Sequence, residues 1–253
     1  MIRLQDVPRP AELTDELIEK LTKEFEETGR HVWKQNFITN NLLKMSNGKC
    51  AFSECMLVEE GKYLEVEHFH PKKLYPSEVV KWENLLPISS PCNKTKGDHD
   101  TKKEPILNPR YQNPQEHLYF RAYELKPKTS QGDLTINKLK LNDRRIWLTK
   151  RFEIGELAKS KLKDVRRFLE HFISDNERSI FSQDEIMCKL INLLHEGTPK
   201  AEYSAVVASY LLNDDDFQII KDLMRKNNLW DEEFESLEKQ LKFCALNVRE
   251  PKS

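Results

Sequence analysis

The stretch LEVEHFHPKKLYP, Leu64–Pro76, places two glutamates and two histidines on and just after a short alternating segment. Alternation of this kind reads as a strand, and Pro71 fits a strand that stops just beyond it. Phosphodiester cleavage asks for a base that activates water and a divalent cation that steadies the phosphate oxygens. With an ordinary pKa of about 6.5, a histidine is largely neutral near neutral pH and suits the first task. His68 is the expected base, and Glu67 beside it is an oxygen ligand of the kind magnesium or manganese takes. Neighbours on a regular strand point to opposite faces, so Glu67 and His68 reach one site only if the strand bends or ends there.

Around this stretch the chain of 253 residues is 38% hydrophobic and 33% charged, with seven glycines, a polar and helix-rich globular composition. The formal net charge of -1 provides no global attraction to nucleic acid, so any such binding must come from a local patch. The opening MIRLQDVPRP lacks a signal-peptide core, and no stretch approaches the roughly 20 apolar residues of a membrane span. A cytoplasmic protein without a membrane partner is expected. Five cysteines, an odd count, favour metal binding or packing over a disulfide framework. Cys50, Cys55 and Cys92 flank the opening stretch, whereas Cys188 and Cys244 lie in helical sequence and read as buried small hydrophobes.

Three segments are expected. Residues 1–46 form a helical arm: Thr14 caps a helix carrying Leu17, Leu21 and Phe25, Gly29 stops it, and a second helix runs from about Arg30 to Met45. Residues 47–142 hold a compact core to about residue 108 and then a basic extension, in which Ser90 and Pro91 open a short helix ending near Gly97 and LTINKLKLN alternates as a strand. Residues 143–253 are helical, with apolar residues at helical spacing throughout. The fold class expected is α+β. From the short helix the amide oxygen of Asn93 could join Glu67 on the cation, with Asp98 and His99 as reserve ligands.

The motifs EHFHP, WENLLP and CNKTKGDH together resemble the HNH, or ββα-metal, endonucleases. That resemblance implies His68 as general base, Asn84 as the central asparagine steadying the base-bearing loop, and Glu67 and Asn93 as metal ligands. The family more often has Asp where Glu67 stands. Members often brace the fold with two C-x-x-C pairs on zinc; here Cys50 and Cys55 are followed by Ser89-x-x-Cys92, one thiolate short, and zinc-bound and zinc-free folds both stay open.

IRLQDVPRPAEL, VEHFHPK, NLLP, CNKTKG and EPILNPRYQNPQEHLYF narrow the likeness, over about the first 150 residues, to the PtuB-type nucleases of Septu and related retron antiphage systems. This implies a PtuA-like ABC-type ATPase partner and, in retrons, a reverse transcriptase and its msDNA. No G-x-x-x-x-G-K-[ST] occurs, so nucleotide hydrolysis would fall to the partner. Nucleic acid is the expected substrate, DNA ahead of RNA such as tRNA, with His70, Lys94, Lys96, Lys102, Lys103 and Arg110 as phosphate contacts. The alternative is a catalytically inactive nucleic-acid or partner-binding module.

Overall fold

The structure, a computed structural model, describes residues 1–57, 64–174 and 179–249. The chain forms two compact units, one of residues 1, 3–117 and 127–141, the other of residues 2, 118–126 and 142–253. The arm and the core expected from the sequence thus share one unit, and residues 118–126 belong to the other.

In the first unit, α1 (Asp15–Thr28) begins where the Thr14 hydroxyl accepts the Leu17 N–H and ends at Gly29. Gly29 has φ 68, a left-handed conformation that costs glycine no Cβ clash. The second helix, α2 (Asn36–Ser46), starts later than expected. Residues 30–35 turn instead, with Val32 N–H on Arg30 O and Lys34 N–H on His31 O. The turn delivers Val32 and Trp33 to a core shared with Leu21, Val79 and Val80. Burying those two side chains outweighs continuing a helix on its own propensity.

A knuckle comes next, in which the Cys50 N–H bonds Cys55 O and the Ala51 N–H bonds Pro87 O, each at 2.9 Å. The strands β1 (Glu65–His68) and β2 (Leu85–Ile88) pair antiparallel with Glu67 opposite Leu86 and His68 opposite Leu85. Immediately after β2 comes α3 (Ser90–Lys96), capped at Ser89, one residue before the expected Ser90, and stopped at Gly97. A one-turn α4 (Pro114–His117) and α5 (Ser130–Lys138) complete this unit. The expected strand LTINKLKLN is a correction: its first half lies in α5, which the Thr129 hydroxyl caps on the Gly132 N–H. The apparent alternation Leu139-Lys140-Leu141 is a turn with Lys140 at φ 48 that lets both leucines face inward.

In the second unit β3 (Leu118–Arg121), β4 (Glu124–Pro127) and β5 (Asn247–Val248) make a sheet ordered β4-β3-β5, with β5 parallel to β3. The helices are α6 (Thr149–Ser174), α7 (Gln183–His195), α8 (Ser204–Leu212), α9 (Asp215–Lys226) and α10 (Glu232–Cys244). Sequence SAVVASYLL makes α8 apolar all round, and it is buried over Ser204–Leu211. Cys188 is exposed on α7, contrary to expectation, while Cys244 is buried. Among the described residues no helix is long and apolar enough to cross a membrane.

Candidate active site

Strand β1 sorts its side chains by parity. Val66 packs on the α1 core together with Trp33, and His68, two residues on, shares that side. Glu65 and Glu67 take the other. Asn93 and Lys96, three apart on α3, share a helix face and reach these acids: the Asn93 amide donates to Glu65 Oε2, and Lys96 Nζ lies 2.5 Å from Glu67 Oε1 and 3.0 Å from His68 O. Glu67 and Lys96 are both buried. Burial raises the Glu67 pKa, a shift opposed chiefly by Lys96 and then by Lys72.

His68 is only 4% exposed. Its Nε2 sits 2.9 Å from Val79 O, and because a carbonyl only accepts, Nε2 carries the proton and Nδ1 keeps the lone pair in the neutral ring. Trp33 meets the imidazole edge-on, centroids 4.6 Å apart, and exposed His31 stacks on the same indole at 4.9 Å. Burial, then the charge of Lys72, lowers the His68 pKa to about 3, with the Val79 bond acting the other way.

The strand ends at His68, and Asn84 fixes the loop beyond it. Its Oδ1 accepts the His70 N–H at 2.7 Å while its Nδ2 donates to His70 O and Glu78 O, each at 3.1 Å. The loop between the strands is thereby tied across its neck by one buried amide. His70 is half-buried beside a cleft of about 550 Å³ lined also by Phe69, Lys81 and Tyr111. Thr101 Oγ1 donates to Phe69 O and so accepts from His70 Nδ1 at 2.7 Å, leaving the Nε2 lone pair for the cleft. Burial lowers the His70 pKa, with Glu78 opposing.

The remaining expected residues disperse. Asp98 is exposed and pairs with Lys73 at 3.4 Å, and His99 Nε2 bonds Glu104 O at 2.7 Å. Neither joins Glu67. Two of the expected phosphate contacts are corrected: Lys96 is spent on Glu67 and the His68 carbonyl, and buried Arg110 donates to Trp82 O and Val7 O. Lys94 is exposed, Lys102 pairs with Glu78 at 2.8 Å, and exposed Lys103 lies 3.8 Å from Asp100. Tyr111, on the rim of the cleft beside His70, is 53% exposed.

Among the described residues no three or more His, Cys, Asp and Glu side chains are gathered to hold an ion. The oxygens of Glu65, Glu67 and Asn93 nevertheless form a hard donor set, and the Lys96 ammonium already stands as a cation against Glu67. By donor chemistry alone these are oxygens of the kind magnesium or manganese takes with water completing the shell. Sequence reasoning missed Glu65, although its place two before Glu67 on the strand put it on the same face.

Next to this set Cys50, Cys55 and Cys92 are buried and unoxidised. Burial would raise the Cys50 pKa, but donation by Cys55 and Cys92 outweighs it and holds that thiol well below the ordinary range; the same sharing raises the other two. Ser89, at the position of the missing thiolate, is buried with its hydroxyl against Cys55 and Cys92, whose pKa rise it opposes. Three thiols and a hydroxyl are the donor types of a zinc site one thiolate short, although the three are not gathered around a common point.

A strand pair joined directly to a short helix, with an acid and a histidine at the strand end and an amide and a lysine from the helix, defines a mixed α+β protein organised around a buried polar site. No protein-family model matches the chain. It is 40% identical over 237 residues to the Septu protein PtuB of Bacillus thuringiensis, covering 94% of this chain and 92% of that one. The Septu protein PtuB of Bacillus mycoides (strain KBAB4) is 27% identical over 219 residues, 69% of this chain and 73% of its own. The chain belongs to the Septu PtuB family.

Proposed function

We propose that this protein is a metal-dependent endonuclease of the HNH type, the effector of a Septu antiphage system, and that it hydrolyses phosphodiester bonds, with DNA favoured. The observation that carries the reading is the His68 Nε2 to Val79 O bond, which fixes the tautomer and leaves Nδ1 as the basic atom. Water would give a proton to Nδ1 as its oxygen bonds to phosphorus, the bridging P–O bond would break, and the leaving oxygen would take a proton from solvent. Glu67 and Asn93, with Glu65, would hold magnesium or manganese, which supplies Lewis-acid stabilisation of the phosphate when bound. Asn84 keeps the loop after His68 in register, and burial excludes bulk water from the imidazole. Cys50, Cys55 and Cys92 with Ser89 would hold a structural zinc. A PtuA-like ATPase would supply the nucleotide chemistry, alone or with a reverse transcriptase and msDNA.

A second reading, a noncatalytic docking module, draws on the Glu67 charge being already matched by Lys96. Purified chain, alone and with its partner ATPase, is incubated with plasmid DNA and total RNA in magnesium, manganese or EDTA, beside His68→Ala. Metal-dependent nicking lost in the variant supports the nuclease; RNA cut instead of DNA changes the substrate only. Cleavage undiminished in His68→Ala removes the mechanism, and no cleavage under any condition leaves the docking module.

A further inference from the structure

Lys72 lies just beyond Pro71 in a turn pinned by the Leu74 and Tyr75 N–H groups, which bond Pro71 O at 2.9 and 3.0 Å. Its ammonium stands 5.0 Å from the centroid of the Trp33 ring, the ring that meets His68 edge-on at 4.6 Å. Through Trp33 the Lys72 ammonium is therefore one ring away from His68, and its charge lowers the pKa of both His68 and Glu67. The neighbouring lysines are committed: Lys96 to Glu67, Lys73 to Asp98 and Lys102 to Glu78. Among the described residues Lys72 makes no ion pair within 4.0 Å. An ammonium resting on an indole is held weakly enough to turn to an anion, for which it offers three donors.

We infer that Lys72 is the phosphate-holding cation of this site, contacting the non-bridging oxygens of the phosphate presented to His68 while Trp33 serves as its resting shelf. The inference rests on the endonuclease reading for the identity of that phosphate.

The test is binding of a short fluorescein-labelled DNA strand in EDTA, measured by anisotropy between about 50 and 200 mM salt. Wild type is compared with Lys72→Met, which keeps the stem over Trp33, Lys72→Arg, which keeps the charge, and His68→Ala; each is checked for an unchanged melting curve. In Lys72→Met the slope of log affinity against log salt should fall by about 1 and affinity by roughly tenfold, with Lys72→Arg restoring most of both. His68→Ala should lose cleavage, which reads the nuclease proposal separately from the Lys72 binding comparison. Unchanged affinity and slope in Lys72→Met, or a loss that Lys72→Arg does not repair, overturns the inference. Absence of cleavage by every protein overturns the nuclease reading, and the binding comparison still decides Lys72.

Discussion

The two units bury charge in different settings. In the first, Glu67, His68 and Lys96 sit on strands of four residues and a helix of seven, elements too short to persist alone. In the second, Glu238 is buried on a 13-residue helix, with Lys221 at 2.6 Å and Lys242 at 2.8 Å. Long amphipathic helices would hold the second unit together without that cluster. The first unit instead depends on side chains that tie one short element to the next: Asn84 across the loop, Asn93 and Lys96 from helix to strand. The difference teaches that polar burial in the first unit is part of its architecture as well as of its chemistry.

The sharpest way to break this comparison is to delete one cation from each cluster. Lys96→Met leaves Glu67 buried without its partner and is expected to cost about 3–5 kcal/mol in urea unfolding. Lys221→Met leaves Lys242 on Glu238 and should cost less, on the order of 1–3 kcal/mol. Equal losses would erase the contrast. A smaller effect comes from packing alone. Gly155→Ala would drive a methyl group into the Tyr123 ring, which stacks on Tyr210 at 4.1 Å, so a loss of about 1–3 kcal/mol is expected. Proteolysis during mild denaturation should place that loss in the second unit.

Local signals made part of this readable from sequence. Thr14 and Gly29 bound α1 because capping is decided by a residue and its immediate neighbours. The strand EVEH and the short helix SPCNKTK were legible in the same way, whereas LLPI, their partner strand, carried no strand reading of its own. What escaped was set across the chain. The turn at residues 30–35 exists because Val79 and Val80, far along the sequence, accept Trp33 into their core. Asn93 bonds Glu65 rather than Glu67, and the burial of Arg110 comes from Trp82 and Val7. Basic residues counted together in sequence, Lys96 and Lys94 among them, part company once α3 turns one inward and the other out. Lys72 carried no signal beyond its place after Pro71, since its neighbour across space is Trp33.

The account stands on one neutral imidazole with its lone pair at Nδ1. Nitrogen-15 spectroscopy of the His68 ring, in metal-free protein titrated from neutral pH downward, reads both tautomer and charge. Because the folded pKa, about 3, lies below the ordinary 6.5, the ring should stay neutral with the proton on Nε2 to about pH 4. The stability that this burial contributes is present above pH 6.5 and lost as pH falls from there toward 3, so unfolding should become easier over that window. A ring already charged near pH 6.5, or one whose lone pair lies on Nε2, would contradict the account.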